Sequence, residues 1–280
     1  MFRSSRTTRE QFAEMVSRDD EAIDLGEACL LIAAEEYPRL DTSLYIDKLD
    51  RIGDLARERA SGAETALDFI AALNITLFDE LRFQGNTEHY YDPRNSYLNQ
   101  VIDRRTGIPI TLTVVYIEVA RRIGFPVNGV GLPGHFIASN TSESGTVFID
   151  VFNGGRLLGE VSCAELVASV TGRKLELKPD HLKAVTKKQL LTRVLSNILA
   201  IYSGTTDYRR ALAAIERILL INPDSTSHIR DRGFLLEAAQ EPAAALQELE
   251  RYLALSPNAP DAEAIQEQMK AIRQNQAKLN

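Results

Sequence analysis

The chain of 280 residues is poor in cysteine and lacks a long apolar run, and both absences limit what it can be. Its two cysteines, Cys29 and Cys163, are too few to build a framework of disulfides. No stretch is apolar over the length that a membrane-spanning helix needs, and the first residues lack the apolar core of a secretory signal. We therefore expect a cytoplasmic protein that does not contact a membrane.

The sequence also lacks the motifs that hold metals, phosphates and nucleic acids. Its four histidines are far apart, and no CxxC or HxxxH pattern supplies the closely spaced ligands of a metal site. No glycine-rich phosphate loop follows a predicted strand. Acidic residues exceed basic residues by 39 to 32, whereas a general nucleic-acid binder usually carries a basic surface. We expect no metal, no cofactor and no nucleic-acid partner.

The feature around which the rest is organised is a helix that is apolar on nearly every side. It is predicted to run over residues 109–123, and Gly124 ends it, with Arg121 and Arg122 in the last turn, where cations suit the helix dipole. Its apolar positions are Ile110, Leu112, Val114, Val115, Ile117, Val119 and Ile123. A helix with this pattern belongs in the middle of a core.

Two predicted strands follow this helix, one starting at His135 and one ending at Asp150. A polar turn over residues 142–145 separates them, so a hairpin can place the two side chains together. A buried helix followed by such strands is the layout of a papain- or transglutaminase-type site. There, a cysteine at the helix start attacks, the histidine takes its proton and the aspartate orients the histidine. The alternative is that His135 and Asp150 form a hydrogen-bonded pair that only stabilises the fold, because any two adjacent strands can bring two such side chains together.

The helix start offers no cysteine for this chemistry. Thr111 is a candidate nucleophile, but a threonine hydroxyl is weak without a well-placed base, and threonine at a helix start is commonly a cap. Cys163 lies early in another predicted helix, where a thiolate is favoured, yet its position after Asp150 does not fit the layout. Cys29 lies in an apolar helical run and is predicted to be part of the core.

Two further features are candidates for binding near the site. The loop over residues 90–95 carries Tyr90, Tyr91 and Asn95, and exposed tyrosines suit the rim of a binding groove. The same loop can instead pack under the core. Glu118 is a charge inside the apolar helix, and it either pairs with the arginines three and four residues later or faces the cleft.

Predicted helices precede and follow this central region. Those before it lie within residues 7–85; Thr7 with Glu10 is a capping-box pattern, and Asp19-Asp20 is predicted to cap the next helix. After residue 183 the chain is helical again. Asn222-Pro223 and Ser256-Pro257 are 34 residues apart, which is the tetratricopeptide period.

The second of these repeats also has the expected small and large residues at the expected places. Counting back from Pro257 puts Gly233 at the small position of the first helix of the repeat. It puts Ala245 and Leu249 at the alanine and large apolar positions of the second helix. The sequence therefore predicts about two repeats and a tail helix.

Long runs of the central region resemble the SirB-type family. They include Tyr90-Tyr91-Asp92-Pro93, Asn95-Ser96-Tyr97-Leu98, Arg104-Arg105-Thr106-Gly107-Ile108-Pro109-Ile110 and Leu132-Pro133-Gly134-His135-Phe136. The resemblance implies a transglutaminase-like core followed by tetratricopeptide repeats and a regulatory role. It also places the cysteine of true transglutaminases near residues 109–111. The family's usual Asp-Pro-Phe is Asp150-Val151-Phe152 here.

We therefore predict an α+β fold with a transglutaminase-like, papain-like core behind N-terminal helices, followed by an all-α tetratricopeptide-repeat region. The two domains are predicted to span residues 1–180 and 181–280. The missing cysteine favours a non-catalytic regulatory or assembly factor that holds a protein partner through its cleft and repeats. The alternative is a hydrolase or acyltransferase, protease-like, in which His135 and Asp150 act with an unconventional nucleophile.

Overall fold

The structure of the protein is a computed structural model that describes residues 7–143 and 145–279, with side chains as far as residue 277. The chain divides into two units, Met1–Val194 and Leu195–Asn280. Helices predominate in both units. The first unit also contains the strands, so it is the part of the chain that carries the α+β fold.

The helices of the first unit surround one central helix. They are α1 (Thr8–Val16), α2 (Leu25–Glu36), α3 (Thr42–Arg59), α4 (Ala66–Asn74), α5 (Leu98–Arg104), α6 (Pro109–Arg122) and α7 (Glu160–Thr171). A π-helical segment, Ile75–Glu80, continues α4. The central helix is α6, which contacts α2, α3, α4, α5 and four of the strands. Its residues Ile110, Leu112, Val114, Val115 and Val119 are at most 1% exposed, as the all-round apolar pattern predicted.

The strands form one small antiparallel sheet and one short parallel pair. The strands are β1 (Gln84–Gly85), β2 (Thr106–Gly107), β3 (Asn128–Val130), β4 (Ile137–Ser142), β5 (Gly145–Asp150) and β6 (Arg156–Leu158). The sheet has the order β3-β4-β5-β6, and β1 pairs with β2. In the hairpin of β4 and β5, Ala138 lies opposite Ile149 and Ser142 opposite Gly145. The start of β4 and the end of β5 therefore lie at the same end of the sheet.

Capping patterns in the sequence predict some helix starts correctly and others wrongly. Thr7 caps α1 as predicted, since its hydroxyl accepts from the N–H of Glu10 at 3.2 Å. The predicted cap of α2 was wrong. Asp24 caps that helix through a 2.8 Å hydrogen bond from the N–H of Glu27, and Asp20–Ala22 forms a separate 3-10 turn.

Asp20 instead caps a helix far along the chain. Its carboxylate accepts from the N–H groups of Lys187 and Lys188 at 2.9 and 3.0 Å, at the start of α8 (Lys187–Gly204). Nearby, the N–H of Val185 donates to the carbonyl of Gly129 at 2.9 Å. These long-range bonds explain why the first unit continues past residue 180, where the sequence predicted the boundary.

The second unit has helices at the period that the sequence predicted. After α8 come α9 (Tyr208–Ile221), α10 (Thr226–Ala238), α11 (Pro242–Leu255) and α12 (Ala262–Leu279). Gly233 of α10 packs so closely on α11 that a Cβ there would lie 2.7 Å from Cδ2 of Leu249. Ala245 and Leu249 are fully buried. The small and large positions of the repeat thus have a direct packing reason.

Candidate functional site

The hairpin places His135 and Asp150 in hydrogen-bond contact, as the strand spacing predicted. Nε2 of His135 lies 2.9 Å from Oδ1 of Asp150, and the two side chains are 4% and 1% exposed. This contact follows from the register, because His135 precedes β4 by two residues and Asp150 ends β5. The pair is therefore buried and held at the end of the hairpin of β4 and β5.

Asn153 completes a three-residue cluster with this pair. Its Nδ2 donates to Oδ2 of Asp150 at 2.6 Å, so both carboxylate oxygens are engaged. Burial alone would raise the pKa of Asp150, but the hydrogen bonds from His135 and Asn153 outweigh it and hold the pKa below its ordinary value. An ionised Asp150 only accepts hydrogen bonds, so Nε2 of His135 carries a proton.

The turn after β5 is fixed by close packing. Nδ2 of Asn74 donates to the carbonyl of Gly155 at 2.9 Å, and a Cβ at Gly155 would lie 2.2 Å from Oδ1 of Asn74. Gly85 likewise allows the ring of Phe152 to pack against the backbone, because a Cβ at residue 85 would lie 2.5 Å from that ring. The ring of Phe152 is held edge-on to the imidazole of His135, with 5.9 Å between ring centroids.

Arg193 of α8 binds the turn that leads into His135. Its Nη2 donates to the carbonyls of Leu132 and His135 at 2.9 and 2.8 Å. Its guanidinium also lies over the ring of Phe136, 5.3 Å from the centroid. Because these contacts hold both ends of the Leu132–His135 turn, Arg193 positions the backbone from which the imidazole projects.

A cavity of about 520 Å³ opens beside His135. Pro109, the first residue of α6, lies in its wall, so the cavity reaches the start of the central helix. Side chains from the turn after β5 and from α7 form much of the apolar wall: Phe152, Leu166 and Val170. This volume falls within the range of ordinary ligand pockets, roughly 300–1,000 Å³.

The two predicted tyrosines line this cavity, whereas Asn95 does not. Tyr90 and Tyr91 lie in its wall, and Tyr91 is 78% exposed at the rim. Asn95 is fully buried, and its Nδ2 donates to the carbonyls of His89 and Tyr90 at 2.8 and 3.2 Å. Asn95 therefore shapes the loop that presents the tyrosines, which differs from the binding role predicted for it.

Thr111 does not lie in the cavity wall. It is 2% exposed, and its hydroxyl donates to the carbonyl of Asn95 at 2.7 Å. The same oxygen accepts from the N–H of Ile108 at 3.2 Å, which is capping geometry. The structure thus gives Thr111 the local role of a helix-start threonine, and this arrangement does not fit a nucleophile.

Glu118 does not line the cavity, so the alternative that places it in the cleft was wrong. Its carboxylate accepts from Arg121 at 2.9 Å and from Arg122 at 2.6 Å, as i+3 and i+4 spacing allowed. It also accepts from the N–H of Gly26 on α2 at 3.3 Å. Glu118 is 1% exposed and links two helices of the core.

Both cysteines are buried in apolar packing. Burial, together with the charges of Asp150 and Glu160, raises the pKa of the Cys163 thiol to about 11. Burial likewise raises the pKa of Cys29 well above its ordinary value, and the nearby charges of Glu118 and Asp24 add to this. Both thiols are therefore protonated near neutral pH, the unreactive form.

Sequence reasoning missed the residues of the cavity wall that come from later in the chain. Asn153 is one of them, although an amide three residues after an aspartate in a turn is a recognisable signal. Leu166, Ser169 and Val170 share one face of α7 by their helical spacing. No local signal joins that face to His135, because the contact depends on how α7 packs.

Over residues 7–143 and 145–279, no three His, Cys, Asp or Glu side chains are grouped so that they can hold a metal ion. No helix there combines the length and the apolar character required to cross a membrane.

The fold and the buried His–Asp cluster at the start of a central helix define the class of the first domain. Residues 43–196 match the transglutaminase-like superfamily, and residues 198–270 match the tetratricopeptide repeat. The predicted fold class is therefore confirmed. Within that class, the chain belongs to the SirB-type family, whose members are also named UPF0162 proteins.

Named relatives cover the chain to different extents. A UPF0162 protein of Xylella fastidiosa is 37% identical over 253 residues, which are 88% of this chain and 89% of the relative. A UPF0162 protein of Vibrio cholerae is 30% identical and covers 70% of this chain and 72% of its own length. F-box only protein 21 of Mus musculus is 34% identical over 138 residues, 46% of this chain and 21% of that protein.

Proposed function

We propose that this protein is a non-catalytic, protein-binding regulatory or assembly factor whose transglutaminase-like cleft holds a segment of a partner protein. The observation that carries the proposal is the identity of the residue at the helix start. Pro109 lies in the same cavity wall as His135, and its side chain has neither a thiol nor a hydroxyl. The His135–Asp150 pair is then a fixed polar feature of a binding cleft.

The surroundings of the imidazole support this proposal. In the part of the chain that the structure describes, no hydroxyl or thiol forms a hydrogen bond with the ring of His135, whose nitrogen partner is Asp150. Ser169 lines the cavity, but its hydroxyl donates to the carbonyl of Leu166 at 2.8 Å. A general base acts only on a proton within hydrogen-bond reach, so the arrangement favours binding over acyl transfer.

The composition of the cavity wall also suits a protein partner. The ring of Tyr90 forms edge-to-face contacts with Tyr91 and with Phe152, and the ring centroids are 5.3 and 6.3 Å apart. Aromatic side chains that combine an exposed face with rigid packing are typical of residues that dominate protein interfaces. The tetratricopeptide repeats, residues 198–270, supply a second surface of a kind that commonly binds proteins.

Replacing Tyr91 by aspartate should abolish capture of the partner by the full-length protein. Tyr91 is 78% exposed at the rim, so the substitution places a charge on the binding surface without disturbing the core. Tagged wild type and Tyr91→Asp would be compared by affinity capture from host lysate and quantitative mass spectrometry. The matched control is Val161→Asp, since Val161 is 74% exposed on α7 and does not line the cavity.

The expected result is a set of proteins captured by wild type and Val161→Asp and lost with Tyr91→Asp. Equal capture by all three proteins would contradict binding through the cleft. The folded state of each variant is checked by its thermal unfolding curve.

A further inference from the structure

His135 has one ring nitrogen that the protein leaves for a ligand. Nε2 is bonded to Asp150, and in the residues that the structure describes Nδ1 forms no hydrogen bond. The side chain is 4% exposed and lines the cavity. Nδ1 is not one of the fully enclosed side-chain atoms that lack a partner, so this nitrogen is the polar part of the ring that the cavity can reach. A ligand in the cavity can therefore form a hydrogen bond with Nδ1.

The hydrogen-bonding character of this nitrogen follows from its neighbours. In the neutral form of the imidazole, the single proton lies on Nε2, because that nitrogen faces the carboxylate of Asp150, which already accepts from Asn153. Nδ1 of His135 is then an acceptor. A group that binds there has to donate an N–H or an O–H.

The walls of the cavity restrict the rest of the ligand. Among the described residues that line it there is no Asp, Glu, Lys or Arg. Aromatic and aliphatic side chains line the space, namely Tyr90, Phe152, Leu166 and Val170. Asn153 and Ser169 also line it, but Asn153 already donates to Asp150 and Ser169 to the carbonyl of Leu166. An isolated charge placed against such a wall loses hydration without a partner, so the cavity favours an uncharged and largely apolar group.

From these observations we infer that the cavity binds a tryptophan side chain of the partner protein, with the indole N–H donating to Nδ1 of His135. This inference rests on the proposed function. Indole is a donor with no acceptor, so it satisfies Nδ1 and leaves no unmatched acceptor in the apolar space. The cavity of about 520 Å³ is large enough for one indole with its adjoining backbone. Edge-to-face rings such as Tyr90 and Phe152 are favourable neighbours for it.

The test uses short blocked peptides, Ac-Ala-Xaa-Ala-NH2, with the full-length protein. The chain contains no tryptophan, so indole fluorescence reports the probe alone. Xaa is tryptophan, 1-methyltryptophan, phenylalanine, lysine or glutamate. The tryptophan peptide should bind about threefold to tenfold tighter than the 1-methyltryptophan peptide, because methylation removes one hydrogen bond. The charged peptides should bind more weakly than both.

Binding should also depend on the cavity wall. Val170→Asp places a charge in the wall and should weaken tryptophan-peptide binding at least about tenfold, whereas Val161→Asp on the exposed part of the same helix should leave it unchanged. Equal affinity of the tryptophan and 1-methyltryptophan peptides would overturn the inference. So would undiminished binding to Val170→Asp, or no detectable binding of the tryptophan peptide.

These outcomes are separable from failure of the proposed function. If no tryptophan peptide binds but Tyr91→Asp still abolishes protein capture, the indole is the wrong ligand and the cleft remains a protein-binding site. If Val170→Asp weakens binding of the tryptophan peptide but Tyr91→Asp leaves protein capture unchanged, the proposed partner surface is wrong. The preference of the cavity for an indole would still hold.

Discussion

Replacing Pro109 by cysteine should produce a strongly reactive thiol in a protein whose own thiols are inert. Residue 109 is the first residue of α6 and shares a cavity wall with His135. The helix dipole and a neighbouring imidazole both stabilise a thiolate. The substitution would be made in a Cys29→Ser, Cys163→Ser background, and iodoacetamide alkylation would be followed by intact mass at pH 6.

We expect alkylation at least about tenfold faster than that of an unperturbed thiol, because each unit of pKa lowering gives about tenfold more thiolate. Adding His135→Ala should remove most of this gain. An alkylation rate that His135→Ala leaves unchanged would show that residue 109 does not face the imidazole. The double Cys→Ser parent should itself behave like wild type in partner capture, since both cysteines are buried with raised pKa values.

Glu118→Ala should be strongly destabilising, although it lies outside the cleft. The carboxylate is 1% exposed and is bonded to Arg122, whose side chain is 8% exposed. Removing one partner of a buried pair leaves the other charge poorly compensated, which typically costs about 3–5 kcal/mol. Arg122 keeps its 2.7 Å contact with Asp50, so we expect about 3 kcal/mol, measured by urea denaturation.

A surface pair of the same unit provides the control. Lys183 and Asp180 are 2.7 Å apart with side chains 72% and 78% exposed, and solvent screens such pairs. Asp180→Ala should therefore leave the urea midpoint unchanged. If Glu118→Ala also left the urea midpoint unchanged, the hydrogen bonds of Glu118 would not stabilise the packing of α2 on α6. Glu118→Gln should lose less stability than Glu118→Ala, because its side chain retains an acceptor for the N–H of Gly26.

The parts of this fold that depend on local chemistry were visible in the sequence. The all-round apolar pattern gave α6, and turn residues between two β-like runs gave the hairpin that joins His135 to Asp150. The 34-residue spacing gave the repeats, with Gly233 against Leu249. In each case a short stretch carries its own signal, through periodicity or backbone preference.

The remaining features depend on contacts between distant segments. Aspartate suits a local helix cap, which is the role that the sequence predicts for Asp20, yet its carboxylate caps α8 more than 160 residues later. The pairing of Glu118 with the following arginines is local, but its hydrogen bond from the N–H of Gly26 joins two helices that are far apart in the sequence. The α7 wall of the cavity has the same origin, since Ser169 and Val170 reach it only through packing.

The central claim is that the His135–Asp150 pair serves binding and does not drive acyl transfer. The most direct test is turnover by purified full-length protein. A glutaminyl peptide and a primary amine would be supplied, and ammonia release and amine incorporation measured for wild type, His135→Ala and Ser169→Ala. Our account predicts that wild type is no faster than either variant. Wild-type turnover that disappears in His135→Ala would contradict it, and its loss in Ser169→Ala as well would identify the nucleophile.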